Sequence, residues 1–126
     1  MNNFLLRTFL IFSLTISSAF AAYVPYKQAD FDQLLKQDKP VVLHVFASWC
    51  PVCRAQKEVL EKLMPMPEFK NLQVLQADFD TENALLKKYK VHNQSTFIVF
   101  KNGKEVTRST GQTNEDAIAD LLRKAL

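Results

Sequence analysis

The chain has 126 residues, of which 48% are hydrophobic and 23% charged, a composition typical of a single globular domain. The formal net charge is +3 and the basic residues are scattered, so neither a nucleic-acid interface nor a membrane-surface patch is indicated. Only two glycines occur, which excludes a glycine-rich phosphate-binding loop.

The N-terminal 21 residues differ from the rest of the chain. A positive charge at Arg7 precedes the uncharged stretch 8–26, which contains a short apolar segment and the small-residue site Ala19-Phe20-Ala21. This arrangement predicts a signal peptide over residues 1–21, with cleavage after Ala21 or Ala22, and a single domain over 22–126. An uncleaved membrane anchor is the alternative, because 19 uncharged residues can just cross a bilayer. We therefore expect a periplasmic or secreted protein, with no membrane association beyond the signal peptide.

The sequence of the first part of the domain predicts a helix, a buried strand and a second helix, in that order. Asp30, with Gln33 three residues later, predicts the N-cap of a short helix that ends near residue 36. The run 41–47 is almost continuously apolar and β-branched, as in a central strand covered on both faces. From Cys53 onwards apolar residues recur at helical spacing, and Pro65 ends this helix.

The second half of the chain predicts three more strands and two helices. In chain order these are a strand at 72–79, a helix at 81–90, strands at 96–100 and 105–109 joined by the turn 101–104, and a final helix. Thr113 and Asp116 resemble a capping box at the start of that final helix. Strands separated by helices require parallel crossovers, and the last hairpin adds antiparallel pairing. The sequence predicts a three-layer α/β sandwich with a central mixed sheet flanked by helices.

Cys50 and Cys53 are the only cysteines, and a strand leads directly into the first of them. A disulfide between them would close a very short loop, so it would stabilise the fold little and is better explained by chemistry. The helix N-terminus is expected to favour a thiolate at Cys50, while Cys53 stays a thiol one turn further in. Two alternatives stay open: inert core cysteines, and half of a metal site whose remaining ligands the sequence does not supply.

Two segments make the sequence similar to the thioredoxin family. They are Val45-Phe46-Ala47-Ser48-Trp49-Cys50-Pro51-Val52-Cys53 and Thr96-Phe97-Ile98-Val99-Phe100-Lys101-Asn102-Gly103. The resemblance implies the thioredoxin fold, Cys50 as nucleophile, Cys53 as resolving thiol, and a partner-binding surface formed by Trp49, Ser95 and Thr96. It implies no cofactor other than the redox-active Cys50–Cys53 disulfide, and no metal. With the predicted signal peptide, the chain resembles the exported, periplasmic branch of the family.

Three positions depart from the family pattern. His44 stands where the family has a buried acid, and it is either a proton acceptor for the cysteines or a core histidine without a catalytic role. Ser95 stands where the family has a cis-proline, so we expect a trans peptide bond and a hydroxyl beside Cys50. On this view Ser95→Pro would raise reductase activity. The residues between the cysteines are Pro51 and Val52.

The expected function is that of a thiol–disulfide oxidoreductase outside the cytoplasm, with an undetermined direction of electron flow. Its expected partners are protein thiols and disulfides, together with a redox partner that reduces or reoxidises Cys50 and Cys53. We expect a monomer. The alternative is a thioredoxin-fold binding module that uses the two cysteines to hold a metal or a cofactor.

Overall fold

The computed structural model describes residues 22–126, which form a five-stranded mixed sheet with helices on both faces. The prediction of a signal peptide at 1–21 lies outside the described residues. The elements are β1 (Ala22–Pro25), α1 (Gln28–Lys36), β2 (Val41–Phe46), α2 (Pro51–Leu63), a 3-10 turn (Pro67–Phe69), β3 (Gln73–Asp78), α3 (Asn83–Lys88), β4 (Thr96–Lys101), β5 (Lys104–Thr110) and α4 (Glu115–Arg123). Across residues 22–126 no helix is long and apolar enough to span a bilayer.

The sheet has the strand order β1-β3-β2-β4-β5, with β2 at its centre. Strand β3 runs parallel to both β1 and β2, while β4 runs antiparallel to β2 and to β5. Side chains alternate across β2, so Val42 faces a core formed with α2 and α4, whereas Val41 and Leu43 face a core formed with α1 and α3. The predicted three-layer sandwich with a mixed sheet is therefore confirmed.

Strand β1 is an element that the sequence analysis missed. It pairs with β3 from Ala22 opposite Gln73 to Pro25 opposite Gln76. Pro25 has no N–H to donate, and an edge strand tolerates such a residue because one side of it needs no partner. The strand brings Tyr23 against the core that α2 and α4 cover.

Two predicted helix starts are wrong by one or more residues. Helix α1 begins at Gln28, Lys27 is its N-cap without a side-chain hydrogen bond, and Asp30 lies in the first turn. The last helix is capped by Asn114, whose Oδ1 accepts the Ala117 N–H at 3.0 Å. Thr113, the predicted cap, stands one residue too early for this bond.

The predicted turn between β4 and β5 is present and depends on Asn102 and Gly103. Their φ angles are 51° and 76°, and two successive positive values are typical of the tight turns that match the twist of a hairpin. A Cβ at Gly103 would lie 3.0 Å from the carbonyl oxygen of Leu35, so the end of α1 packs closely on this turn.

Candidate active site

Cys50 is the N-cap residue of α2 and follows the end of β2 after the short loop 47–49. Its backbone is extended, with φ −93° and ψ 113°, and Pro51 occupies the first helical position, where no N–H is needed. The Cys50 Sγ accepts a hydrogen bond from the Cys53 backbone N–H at 3.1 Å. Both cysteines are free thiols in this structure. The sequence therefore places a sulfur at the positive end of a helix, where a thiolate is favoured.

The environment of the two thiols separates their pKa values. Burial raises the pKa of Cys50, but hydrogen bonds with the Cys53 thiol, the Ser95 hydroxyl and the backbone N–H groups of Cys53 and Val52 outweigh burial, so that pKa lies below its ordinary value. Burial, followed by the contact with Cys50, raises the pKa of Cys53. The expected difference between a thiolate-forming Cys50 and a protonated Cys53 has the predicted direction.

Cys50 is nearly buried although it lies at the start of a helix. Its exposed fraction is 2% and that of Cys53 is 0%. The two sulfurs lie in a small cluster with Ala47, against which Phe46 and Phe79 also pack. What little access the pair has is therefore through Cys50.

Ser95 lies directly against the two cysteines. Its Oγ is 3.1 Å from the Cys50 Sγ and 3.1 Å from the Cys53 Sγ. Peptide bonds between the described residues are all trans, and Ser95 has a φ of 60°. The prediction of a trans bond and a hydroxyl beside Cys50 is confirmed.

The structure removes the basis for expecting Ser95→Pro to raise activity. The Ser95 N–H donates to the Val45 carbonyl at 2.8 Å, and a proline has no N–H to replace this bond. The proline ring also fixes φ near −65°, far from the φ of 60° observed at Ser95.

His44 is fully buried in β2, and its two ring nitrogens are both hydrogen-bonded. Nδ1 lies 2.8 Å from the Tyr23 hydroxyl and Nε2 lies 2.9 Å from the Gln56 Oε1. Because Gln56 uses its Nε2 as a donor elsewhere, its Oε1 accepts, and His44 therefore carries its proton on Nε2. The Tyr23 hydroxyl has a single proton, and both the unprotonated Nδ1 and the Gln76 Oε1, 2.7 Å away, lie within hydrogen-bond distance of it.

This geometry does not support the prediction that His44 accepts a proton directly from the cysteines. Neither ring nitrogen has a sulfur as its hydrogen-bond partner, and burial lowers the pKa of His44 to about 4. The alternative of a satisfied core histidine describes its contacts better. Its link to the cysteines is indirect and passes through Gln56.

Gln56 is a site residue that the sequence analysis missed. It is fully buried on α2, and its Nε2 donates to the Ser95 carbonyl at 3.0 Å and to the Gln112 carbonyl at 2.9 Å. One signal was available: Gln56 is a polar residue on the buried helix face that carries Cys53, Leu60 and Leu63. Its partners, far away in the sequence, could not be foreseen.

Trp49 and Thr96 were both predicted to contact partners, but their side chains differ in exposure. Trp49 is 55% exposed, and its Nε1 donates to the carboxylate of Asp80 at 2.9 Å, a partner that the sequence analysis did not name. Thr96 is buried, and its hydroxyl is used within the fold by the Asn93 carbonyl and the Thr110 hydroxyl. Trp49 remains a candidate partner contact; the contact at Thr96 stays a prediction, which the burial of its side chain does not support.

The cysteines also do not form part of a metal-ligand cluster in the region that the structure describes. Within residues 22–126 no group of three or more histidine, cysteine, aspartate or glutamate residues is arranged to hold a metal ion. Besides the two cysteines themselves, the Ser95 hydroxyl lies within hydrogen-bond distance of both sulfurs. The alternative of a metal-binding module therefore gains no support from the site.

Comparison with known proteins decides the family. The family model described as Thioredoxin matches residues 22–124. The chain belongs to the thioredoxin family. A thioredoxin of Chlamydia trachomatis is 36% identical over 84 residues, which cover 67% of this chain and 80% of that protein.

A solved structure and a longer relative extend the comparison. The crystal structure of Trxlp from Edwardsiella tarda has a TM-score of 0.78 and 40% identity, and the match covers 80% of this chain and 98% of that one. A Schizosaccharomyces pombe protein provisionally named a protein disulfide-isomerase is 29% identical over 122 residues, and this chain spans 25% of its length. This thioredoxin-family chain is a thiol–disulfide oxidoreductase, and its fold is the thioredoxin fold.

Proposed function

We propose that the protein exchanges disulfides with protein partners outside the cytoplasm, with Cys50 as the attacking thiolate and Cys53 as the resolving thiol. The observation that carries the proposal is the position of the Cys50 Sγ as the N-cap of α2, 3.1 Å from the Cys53 N–H, while Cys53 is wholly buried. A thiolate is the nucleophile in disulfide exchange, so the sulfur that the helix end stabilises is the one that attacks.

The reaction proceeds in two exchanges. The Cys50 thiolate attacks one sulfur of the partner disulfide, a mixed disulfide forms, and the other partner sulfur leaves as a thiolate. Cys53 then loses its proton and attacks the Cys50 sulfur, which releases the second partner thiolate and leaves a Cys50–Cys53 disulfide. A separate dithiol partner returns the pair to the reduced state. Run in reverse, the same steps oxidise a partner dithiol.

The surface around Cys50 supports a protein as the partner. Trp49 and Val52, on either side of the Cys50–Pro51 pair, are among the exposed large apolar residues of the described chain. Apolar and aromatic groups of this kind are favoured at protein contacts. The proposed surface thus consists of Trp49 and Val52 around a nearly buried sulfur.

A location outside the cytoplasm is supported by the signal-peptide pattern of residues 1–21. Strand β1 adds an argument on the cleavage position, because its Ala22 N–H donates to the Leu72 carbonyl at 3.2 Å. Cleavage after Ala21 leaves this strand whole, whereas cleavage after Ala22 removes its first residue. We therefore propose a mature chain that begins at Ala22. Intact-mass measurement of protein exported by a bacterial host tests this, and a membrane-bound species that retains Met1 would contradict it.

The roles of the cysteines are tested by two matched variants in an insulin-reduction assay. Cys50→Ala should abolish turnover and form no adduct with the substrate. Cys53→Ala should also lose turnover but accumulate a mixed disulfide through Cys50, visible by mass spectrometry without reductant. If Cys50→Ala instead forms the adduct, the two roles are reversed.

A further inference from the structure

The Ser95 hydroxyl occupies a position from which it can serve either sulfur. Its Oγ is 3.1 Å from the Cys50 Sγ and 3.1 Å from the Cys53 Sγ. A hydroxyl has one proton to donate and two lone pairs that accept. It can therefore donate to one sulfur while it accepts the S–H of the other, and the equal distances favour neither choice.

The backbone of Ser95 is held on both sides, so the hydroxyl is the part that can reorient. The N–H donates to the Val45 carbonyl at 2.8 Å, and the carbonyl accepts from the Gly111 N–H at 2.9 Å and from the Gln56 Nε2 at 3.0 Å. These three bonds join Ser95 to β2, to the segment after β5 and to α2. A change of donor direction consequently needs only rotation about the Cβ–Oγ bond.

Cys53 needs such a group because the reaction requires it to ionise inside the core. It is fully buried, and the charged form of a buried thiol is costly without a hydrogen-bond donor. His44, the other titratable candidate nearby, has both ring nitrogens bonded to Tyr23 and Gln56. Ser95 is the side chain, apart from Cys50, that makes a hydrogen bond with the Cys53 sulfur in the described region.

We propose that Ser95 is a catalytic residue whose hydroxyl donates first to the Cys50 thiolate and then, once Cys50 is bound in the mixed disulfide, to the Cys53 thiolate. The proposal rests on the cysteine roles of the proposed function. In the reduced enzyme the Ser95 O–H donates to the Cys50 sulfur, as the Cys53 S–H does.

The redox step consists of two successive thiol–disulfide exchanges. The Cys50 thiolate forms a bond to one partner sulfur, the partner S–S bond breaks, and the other partner sulfur leaves with the electron pair. That released thiolate takes up the proton of Cys53 and becomes a thiol. The Cys50 sulfur is now neutral and accepts weakly, so the Ser95 hydroxyl turns to the new Cys53 thiolate. Cys53 then attacks Cys50, the enzyme disulfide forms, and the second partner thiolate leaves.

The test is a stopped-flow reaction of excess reduced protein with limiting dithiobis(nitrobenzoate), which releases one coloured thiolate in each exchange. The first phase reports attack by Cys50 and the second reports resolution by Cys53. The variants are Ser95→Ala and Ser95→Gly. Both remove the hydroxyl and keep the backbone N–H and carbonyl, but only glycine adopts a φ of 60° without strain.

Both variants should slow both phases at low and neutral pH. A hydrogen bond to a charged group contributes about 1.5 kcal/mol at the low end, so its loss leaves about tenfold less thiolate below the pKa of the sulfur. The remaining thiolate is more basic and roughly threefold more nucleophilic, so each phase should slow about threefold. Above the pKa that Cys50 has in the variants, where both proteins are fully ionised, the first phase of the variants should instead become about threefold faster than that of the wild type.

This reversal with pH distinguishes the hydroxyl's role from a structural one. Wild-type rates in both variants at every pH would overturn the proposal, as would slowing at every pH without a reversal. A defect in Ser95→Ala that Ser95→Gly does not share would assign the effect to the backbone and would also overturn it. Cys50→Ala and Cys53→Ala are run in parallel: a first phase in Cys50→Ala would refute the cysteine roles themselves, independently of Ser95.

Discussion

Replacing Gln56 with leucine should destabilise the protein strongly, although leucine fits a buried helix position well. The Gln56 amide makes three hydrogen bonds, to the His44 Nε2 and to the carbonyls of Ser95 and Gln112. Among residues 22–126 no buried side-chain polar atom lacks a hydrogen-bond partner, so the amide completes a fully satisfied network. Leucine has no polar atom with which to replace it.

The size of this destabilisation follows from the polar groups that lose their hydrogen-bond partner in Gln56→Leu. The Ser95 carbonyl keeps the bond from the Gly111 N–H, whereas the His44 Nε2–H and the Gln112 carbonyl lose the bond from Gln56. The His44 Nε2–H is fully buried and costs about 1–3 kcal/mol without a partner, whereas the Gln112 carbonyl is only half-buried and costs about 1 kcal/mol, because water can reach it. The extra apolar surface of leucine returns roughly 1 kcal/mol. The free energy of unfolding should therefore fall by about 2 kcal/mol, which lowers the Tm by roughly 10 °C in a domain of this size.

Urea unfolding of the reduced protein, followed by far-ultraviolet circular dichroism, gives the free energy of unfolding by linear extrapolation. Glu58→Leu is the matched control, because it introduces the same side chain at an exposed position of the same helix. The control should remain within about 0.5 kcal/mol of the wild type. A Gln56→Leu protein as stable as the control would show that the amide does not hold this network together.

Three further predictions concern other parts of the molecule. Because burial lowers the pKa of His44 to about 4 from 6.5, the unfolded chain takes up a proton before the native state as the pH falls through that range. The free energy of unfolding should drop by about 3 kcal/mol as the pH falls from 6.5 to about 4. Urea unfolding at pH values above and within this range should show a smaller drop for His44→Gln, and an equal drop would contradict the assignment. Trp49→Phe removes the bond to Asp80 at an exposed site, so stability should change by less than about 1 kcal/mol. Insulin reduction should slow about fivefold relative to reduction of a small disulfide, and equal slowing of both would argue against a partner contact. Gly103→Ala should cost more stability than Gly111→Ala in thermal unfolding. An alanine at either position has to adopt a positive φ, which costs about 1–2 kcal/mol. Only the Cβ at position 103 would also meet a backbone oxygen 3.0 Å away. Equal losses would show that this close packing relaxes without cost.

Local patterns predicted much of this fold correctly. The apolar run of β2 and the helical spacing after Cys53 indicated elements whose type the structure confirms. Strand β1 escaped because it has four residues, ends in Pro25 and continues an uncharged stretch that resembles a signal peptide. The cap of α4 was misplaced because Thr113 and Asn114 are both good cap residues, and only the backbone geometry decides between them.

In the candidate site, too, some residues could be predicted from the sequence and others could not. The cysteine pair could be predicted because its chemistry depends on a spacing of three residues at a helix start. The partners of His44 could not, since Tyr23 and Gln56 lie on other elements and meet it only in the folded chain. For Ser95, the resemblance gave the position, but the equal distances to the two sulfurs are a property of the packed structure.

The hydrogen bond between Tyr23 and His44 has a practical consequence for recombinant production. Tyr23 is the second residue of β1, and its hydroxyl is the partner of the His44 Nδ1. An expression vector that trims the chain beyond Ala22, or attaches a bulky tag at this point, would disturb the pairing of β1 with β3. Purified material would then have an unpaired buried nitrogen two hydrogen bonds away from Ser95. Enzymologists should therefore place affinity tags at the C-terminus, so that measured rates and redox potentials describe the intact site.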